Sequence, residues 1–164
     1  LLTLRELEKT GLNYSLAVIG QRFRNSPAAF GTIEEEFSHR LVQFGYVEKV
    51  ATYRQILSEA DIILSTALHE FQGLALLEAV GAGCIPVVPD RLVYPEIFSH
   101  EFLYTCDPQS SGLEARNAAQ LLASIAGDIT KVTIYPPDVS EFEDSRISQR
   151  YRTLFESVIT VAAL

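Results

Sequence analysis

The sequence predicts an α/β domain built on a doubly wound parallel sheet of Rossmann-like type. Short, continuously apolar runs alternate with segments of helical period along the chain. Parallel neighbours need such crossovers, and the helices bury both faces of the strands they connect. At 164 residues, with 48% hydrophobic and 10% aromatic content, the chain can bury a substantial core and has the size of one domain, residues 1–164.

Each element follows from its local pattern. Leu4, Leu7 and Leu12 stand near helical spacing, with charged residues between and Gly11 as a stop. Tyr14 to Ile19 is an apolar, partly β-branched run closed by Gly20, which fits a buried strand. Between Pro27 and Arg40, Phe30, Ile33 and Phe37 recur at helical spacing toward Leu41, so a surface helix is expected. Leu41 to Val47 reads as a strand with its exit loop, Ala51 to Ala60 as a helix, and Asp61 to Thr66 as a further strand.

A helix starting near Gly73 or Leu74 and rich in small residues leads into the strand Ile85 to Val88, whose Pro86 should lie near the strand's start. Pro95 to Ser99 suggests a short helix, Glu101 to Thr105 a short strand, and Leu113 to Asp128 an amphipathic helix. Residues 129–139 read as a connector. The C-terminal helix is expected over 140–162, with Ser140 and Glu143 resembling a capping box and Ile147, Tyr151, Leu154, Phe155, Val158 and Ile159 forming its apolar face.

Charge narrows the function. A formal net charge of −8 argues against a stand-alone domain that grips nucleic acid, because neutralising phosphates takes clustered Lys and Arg. Cys84 and Cys106 lack the spacing of a zinc or redox site and read as buried, reduced thiols. With neither an apolar run of spanning length nor a signal peptide, a soluble, cytoplasmic protein is expected. The chain starts without methionine inside an amphipathic pattern, which suggests a fragment.

In a parallel sheet ligands bind at the carboxyl ends of the strands, which directs attention to the loops after each apolar run. The strongest pattern is Glu70-Phe71-Gln72-Gly73-Leu74, followed by Glu78 and by Gly83-Cys84-Ile85-Pro86-Val87. Two carboxylates eight positions apart flank a helix start, so both can border one cleft. Gly73 permits close backbone approach, and free N–H groups at a helix start suit a diphosphate. The carboxylates can accept hydrogen bonds from sugar hydroxyls. The plain structural alternative makes Glu70 a cap for the first turn and Glu78 a solvated helix residue.

This segment resembles the E-x7-E pattern of glycosyltransferase family 4 and its GT-B relatives, with Gly73-Leu74 inside the motif and Gly83-x-x-Pro86-Val87 after it. Phe44-Gly45-Tyr46-Val47, Ala60 to Ser65 and Tyr94-Pro95-Glu96 extend the likeness over roughly Tyr14 to Glu96. The resemblance implies the C-terminal, nucleotide-sugar-binding half of a retaining enzyme. Glu70 would contact the transferred sugar, backbone around Gly73 and Leu74 the distal phosphate, Glu78 the ribose hydroxyls, and main chain near Tyr46 and Val47 the base. Gln72 and His69 would line the same loop, His69 otherwise being a packed loop residue. No cofactor or metal is implied, since amides, a helix start and a basic pair stabilise the leaving diphosphate.

Two departures stand out. Phe71 and Gln72 replace the usual Gly-Phe inside the loop, and the basic pair normally follows a first strand that is absent here. Arg22 and Arg24 are candidate phosphate helpers, with solvated loop arginines as the alternative. His39 and His100 read as surface residues. Asp90 and Arg91 are expected to pair locally and shape the loop, the alternative being that Arg91 faces the diphosphate or acceptor.

Ser65 to Phe71, Phe44 to Val47 and Pro89 to Glu96 are similar to the tRNA-queuosine mannosyltransferase group. That implies GDP-mannose as donor and queuosine in tRNA as acceptor, with tRNA contacts in an N-terminal domain outside this chain. No residue is an obvious nucleophile or base, so the fragment alone is expected to be inactive. The competing readings are a non-catalytic nucleotide-binding or interaction module of the same fold, and a sugar-nucleotide epimerase or phosphorylase.

Overall fold

The computed structural model describes residues 1–20 and 27–162. It is a mixed α/β, Rossmann-like domain in which every strand pair is parallel. The described elements are α1 (Leu2–Glu8), β1 (Leu16–Ile19), α2 (Ala28–Glu36), β2 (Leu41–Gly45), α3 (Val50–Glu59), β3 (Ile62–Leu64), α4 (Leu74–Gly81), β4 (Ile85–Pro89), α5 (Tyr94–Ile97), β5 (Leu103–Tyr104), α6 (Ser111–Lys131) and α7 (Asp144–Ala162). The strands fall into two groups, β1 beside β2 and β4 between β3 and β5.

The main core forms where β4 meets its helices. All five residues of β4 are buried, as a strand paired on both sides should be. Pro86 sits opposite Ile63, while β5 joins only at Val88 and Pro89, so the missing N–H of Pro86 leaves no gap in the β5 ladder. Val87, Val88, Tyr94, Phe102 and Tyr104 pack with Leu76 and Val80 of α4 and with Ala118, Ala119, Leu122 and Ile125 of α6. The small residues of α6 allow that close approach.

Helix α1 bridges the two strand groups. Its Leu7 belongs to the main core, whereas Leu4 packs with Ile33 and Phe37 of the second helix and its end against β1 and β2. Arg40 fastens the same corner: Nε donates to Glu8 Oε1 at 3.0 Å, Nη1 donates to Asn13 at 2.8 Å, and the guanidinium lies 4.7 Å from the centre of the Tyr14 ring.

Several boundaries differ from the sequence expectation. Helix α6 continues to Lys131, into the expected connector, before Val132 ends it in a left-handed conformation at φ 56°. The C-terminal helix begins at Asp144 and not at Ser140, because Ser140 to Phe142 form a tight 3-10 turn. The Ser140 N–H donates to Asp138 at 2.9 Å, so the anticipated capping box is replaced by an aspartate turn. The apolar face of α7 is open, with Tyr151, Leu154, Phe155, Val158 and Ile159 each more than half exposed. Of the two free cysteines, Cys84 is buried and Cys106 only half-buried. Among the described residues no helix is long and apolar enough to cross a membrane.

Candidate functional site

The loop between β3 and α4 is set from below by β3. Its first residue, Ser65, donates its N–H to Val87 at 3.0 Å, and its hydroxyl lies 2.7 Å from the Tyr94 phenol. The Ser65 carbonyl accepts from the Tyr104 phenol at 2.9 Å. Burial pushes both phenols above the ordinary tyrosine range, which keeps them neutral. The ring of Tyr94 packs under Gly73, whose absent Cβ would stand 3.6 Å from Tyr94 Cε1. Two aromatic residues from later in the chain thus form the floor of the loop.

Gly73 is the hinge between loop and helix. It adopts φ 64° and ψ 32°, the left-handed region that glycine enters without a Cβ penalty, and it is the N-cap of α4. The turn brings three successive amides onto one carboxylate oxygen. Glu70 Oε1 accepts from the N–H groups of Phe71, Gln72 and Gly73 at 2.9, 3.2 and 3.0 Å. The Gly73 N–H, with those of Gln72 and Phe71, holds the Glu70 carboxyl below its usual range. Glu70 therefore closes the turn that leads into α4 without capping the helix itself, and Oε2 meets no hydrogen-bond donor among the described residues.

The carbonyl of Gly73 accepts from Leu76 and Leu77, both at 2.9 Å. The amides of Leu74 and Ala75, by contrast, find no acceptor among the described residues, as expected of the first turn of a helix. They stand next to the Glu70 turn, at the positive end of the helix dipole. The surface above them is open and apolar: Leu68, Phe71 and Leu74 are 69%, 91% and 63% exposed. His69 and Gln72 are exposed on the same loop.

Glu78 lies one turn further along α4, exposed, and its carboxylate is held from another element. The phenol of Tyr53 on α3 donates to Oε2 at 2.8 Å. The sequence reading did not select Tyr53; its place one turn into an amphipathic helix was the only available signal.

Arg91 was also placed differently. Instead of pairing with Asp90, it forms a bidentate ion pair with Glu114 of α6 at 2.9 and 2.7 Å and donates through Nε to the Ala67 carbonyl at 3.0 Å. The long-range partner lies on α6, so local spacing could not reveal it. Leu92, beside it, takes φ 61°, a strained conformation for a bulky residue.

The structure thus gathers Glu70, Gln72, Gly73 and Leu74 at one turn and ties Glu78 to α3. Tyr46, 64% exposed, and the half-buried Val47 follow β2 in the other strand group, and no described hydrogen bond joins them to the 69–78 segment. Arg22 and Arg24 lie outside the described residues. His39 and His100 are exposed. Concave surfaces occur elsewhere: one of about 740 Å³ beside α7 between Arg146 and Ser157, and one of about 300 Å³ between Ser58 and Pro136. Neither is lined by the 69–78 segment, whose amides and carboxylates lie beside the exposed side chains of Leu68, Phe71 and Leu74.

No family model matches the chain. Among curated proteins, the tRNA-queuosine alpha-mannosyltransferase of Drosophila melanogaster is 40% identical over 102 residues, which make up 62% of this chain and 27% of that protein. The chain thus spans about a quarter of the length of the curated relative it matches. It is similar to a segment of a glycosyltransferase.

Proposed function

We propose that this chain is the donor-binding half of a retaining glycosyltransferase of GT-B architecture, a cytoplasmic mannosyltransferase that takes GDP-mannose as donor and queuosine in tRNA as acceptor. The observation that carries the reading is the turn at Gly73. It leaves the Leu74 and Ala75 amides open beside Glu70, with Glu78 one turn along the same helix. Similarity to a segment of a queuosine mannosyltransferase points the same way.

On this reading the open amides of α4 receive the distal phosphate, where dipole and N–H groups stabilise the charge that grows as the sugar departs. Glu70 contacts the sugar through its second oxygen, Gln72 and His69 border it, and Glu78 binds the ribose diol. Main chain at Tyr46 and Val47 borders the base, and Arg22 is a phosphate contact. The chemistry uses no metal.

On this reading a further parallel strand would lie between β1 and β3, each the first strand of its group, and join the two groups into one sheet. A preceding domain holds the acceptor and supplies the basic surface that this acidic chain lacks. This chain alone is therefore inactive as a transferase.

Calorimetric titration of the complete gene product with GDP, UDP, GDP-mannose and UDP-glucose tests the reading. It expects GDP-mannose to bind preferentially and to release GDP only when queuosine-bearing tRNA is present. Absence of nucleotide binding would leave a non-catalytic module of the same fold. Release of free sugar or its epimer without acceptor would indicate an epimerase, and dependence on orthophosphate a phosphorylase.

A further inference from the structure

We infer that Tyr53 is a positioning residue for Glu78, holding one carboxylate oxygen so that the other faces the vicinal hydroxyls of a ribose. The inference rests on the proposed donor site and deepens it. Glu78 is the only charged residue of α4 and stands exposed, where a free glutamate side chain samples many rotamers. The Tyr53 phenol removes that freedom by donating to Oε2 at 2.8 Å, a hydrogen bond strengthened by the carboxylate charge. Oε1 meets no donor among the described residues, so the same contact fixes one oxygen and leaves the other available as an acceptor.

Tyr53 is itself rigidly mounted. Its ring is half-buried against Leu57, Ala79 and Cys84, a cluster that joins α3 to α4. Cys84 reinforces that junction by lying 3.3 Å from the carbonyls of Leu57 and Ala60 at the end of α3. The Tyr53 amide donates to Lys49 at 3.0 Å, immediately after the loop that carries Tyr46 and Val47. One residue therefore links the first turn of α3, next to the loop assigned to the base, through its backbone, with the carboxylate assigned to the ribose, through its phenol.

The test compares GDP with 2′,3′-dideoxy-GDP by calorimetry on the complete gene product and its Y53F variant, which keeps the ring and removes only the hydroxyl. The wild-type protein should prefer GDP. Y53F should weaken GDP roughly fivefold, the size of one net hydrogen bond, while leaving 2′,3′-dideoxy-GDP affinity and thermal midpoint unchanged. With GDP-mannose the loss should appear in KM and not in kcat. In an E78A background Y53F should have no further effect, since the phenol acts only through Glu78.

Equal weakening of both nucleotides, a further loss in the E78A background, or no change in GDP affinity would each overturn the role of Tyr53 while leaving the donor site standing. Failure of the wild-type protein to bind GDP at all would instead remove the donor site on which the inference rests.

Discussion

Arg91 spans from the loop after β4 to the loop after β3, donating through Nε to the Ala67 carbonyl while both terminal nitrogens grip Glu114 of α6. The candidate site is thereby fastened from behind by a three-point contact between segments far apart in sequence. The ion pair is mostly shielded, with side-chain exposures of 21% and 15%. R91A leaves a largely buried carboxylate without its partner, so a loss of about 2 kcal/mol in unfolding free energy is expected. Urea denaturation measures it. R91K should recover only part, because an ammonium cannot reproduce the bidentate fork.

Gly73 permits a direct test of backbone strain. G73A should cost about 1 kcal/mol from the left-handed conformation alone, since a Cβ at this position meets Tyr94 only at ordinary contact distance. G73N should cost less, asparagine being more tolerant of that region. Thermal unfolding of the pair separates conformational strain, which predicts this ranking, from crowding, which predicts the reverse.

Glu70 gives the loop an acid-sensitive element. Its folded-state pKa is depressed by the Gly73, Gln72 and Phe71 amides, so its stabilising contribution is complete above the ordinary carboxylate range and is lost as pH falls through the depressed value. E70A should speed hydrogen exchange at those three amides roughly tenfold at neutral pH. The wild-type loop should approach the same exchange behaviour only in strong acid. Equal protection in both proteins at neutral pH would contradict the role of Glu70 in closing the turn.

Tyr53 titrates in the opposite sense. Burial first, then its hydrogen bond to Glu78, pushes the phenol up to about 12. Because the folded value exceeds that of a free tyrosine, about 10, the contribution is complete below that pH and is lost as pH rises through the folded value. Ultraviolet titration should show several late tyrosinates, those of Tyr14, Tyr94 and Tyr104 among them, and one fewer in Y53F. In E78A the surviving phenol should ionise earlier.

The strands were legible because they are short apolar runs ending in polar or glycine loops. β4 is the clearest case, since a strand buried on both faces shows no alternation to confuse with a surface strand. The 70–78 segment was legible too, as Gly73 announces a backbone turn and a carboxylate stands on each side of it. Tyr53, Tyr94, Tyr104 and Arg91 were not recognised as partners of that loop. Each acts across a long sequence separation, and a tyrosine within an apolar pattern looks the same whether or not its hydroxyl is used. The stripe of α7 shows the same limit from the other side: Leu154, Phe155 and Val158 reveal an amphipathic helix, but periodicity does not specify whether that face is covered.

Glu78 offers the most direct test of donor binding. The side chain is exposed and its hydrogen-bond partner among the described residues is Tyr53, so E78A should barely affect folding. Calorimetric titration of GDP-mannose into the complete gene product and its E78A variant, with thermal midpoints measured alongside, is the decisive experiment. The donor-site reading predicts at least roughly tenfold weaker binding, the size of a hydrogen bond to a charged group, at an unchanged midpoint. Unaltered binding, or a loss of binding matched by a loss of stability, would contradict it.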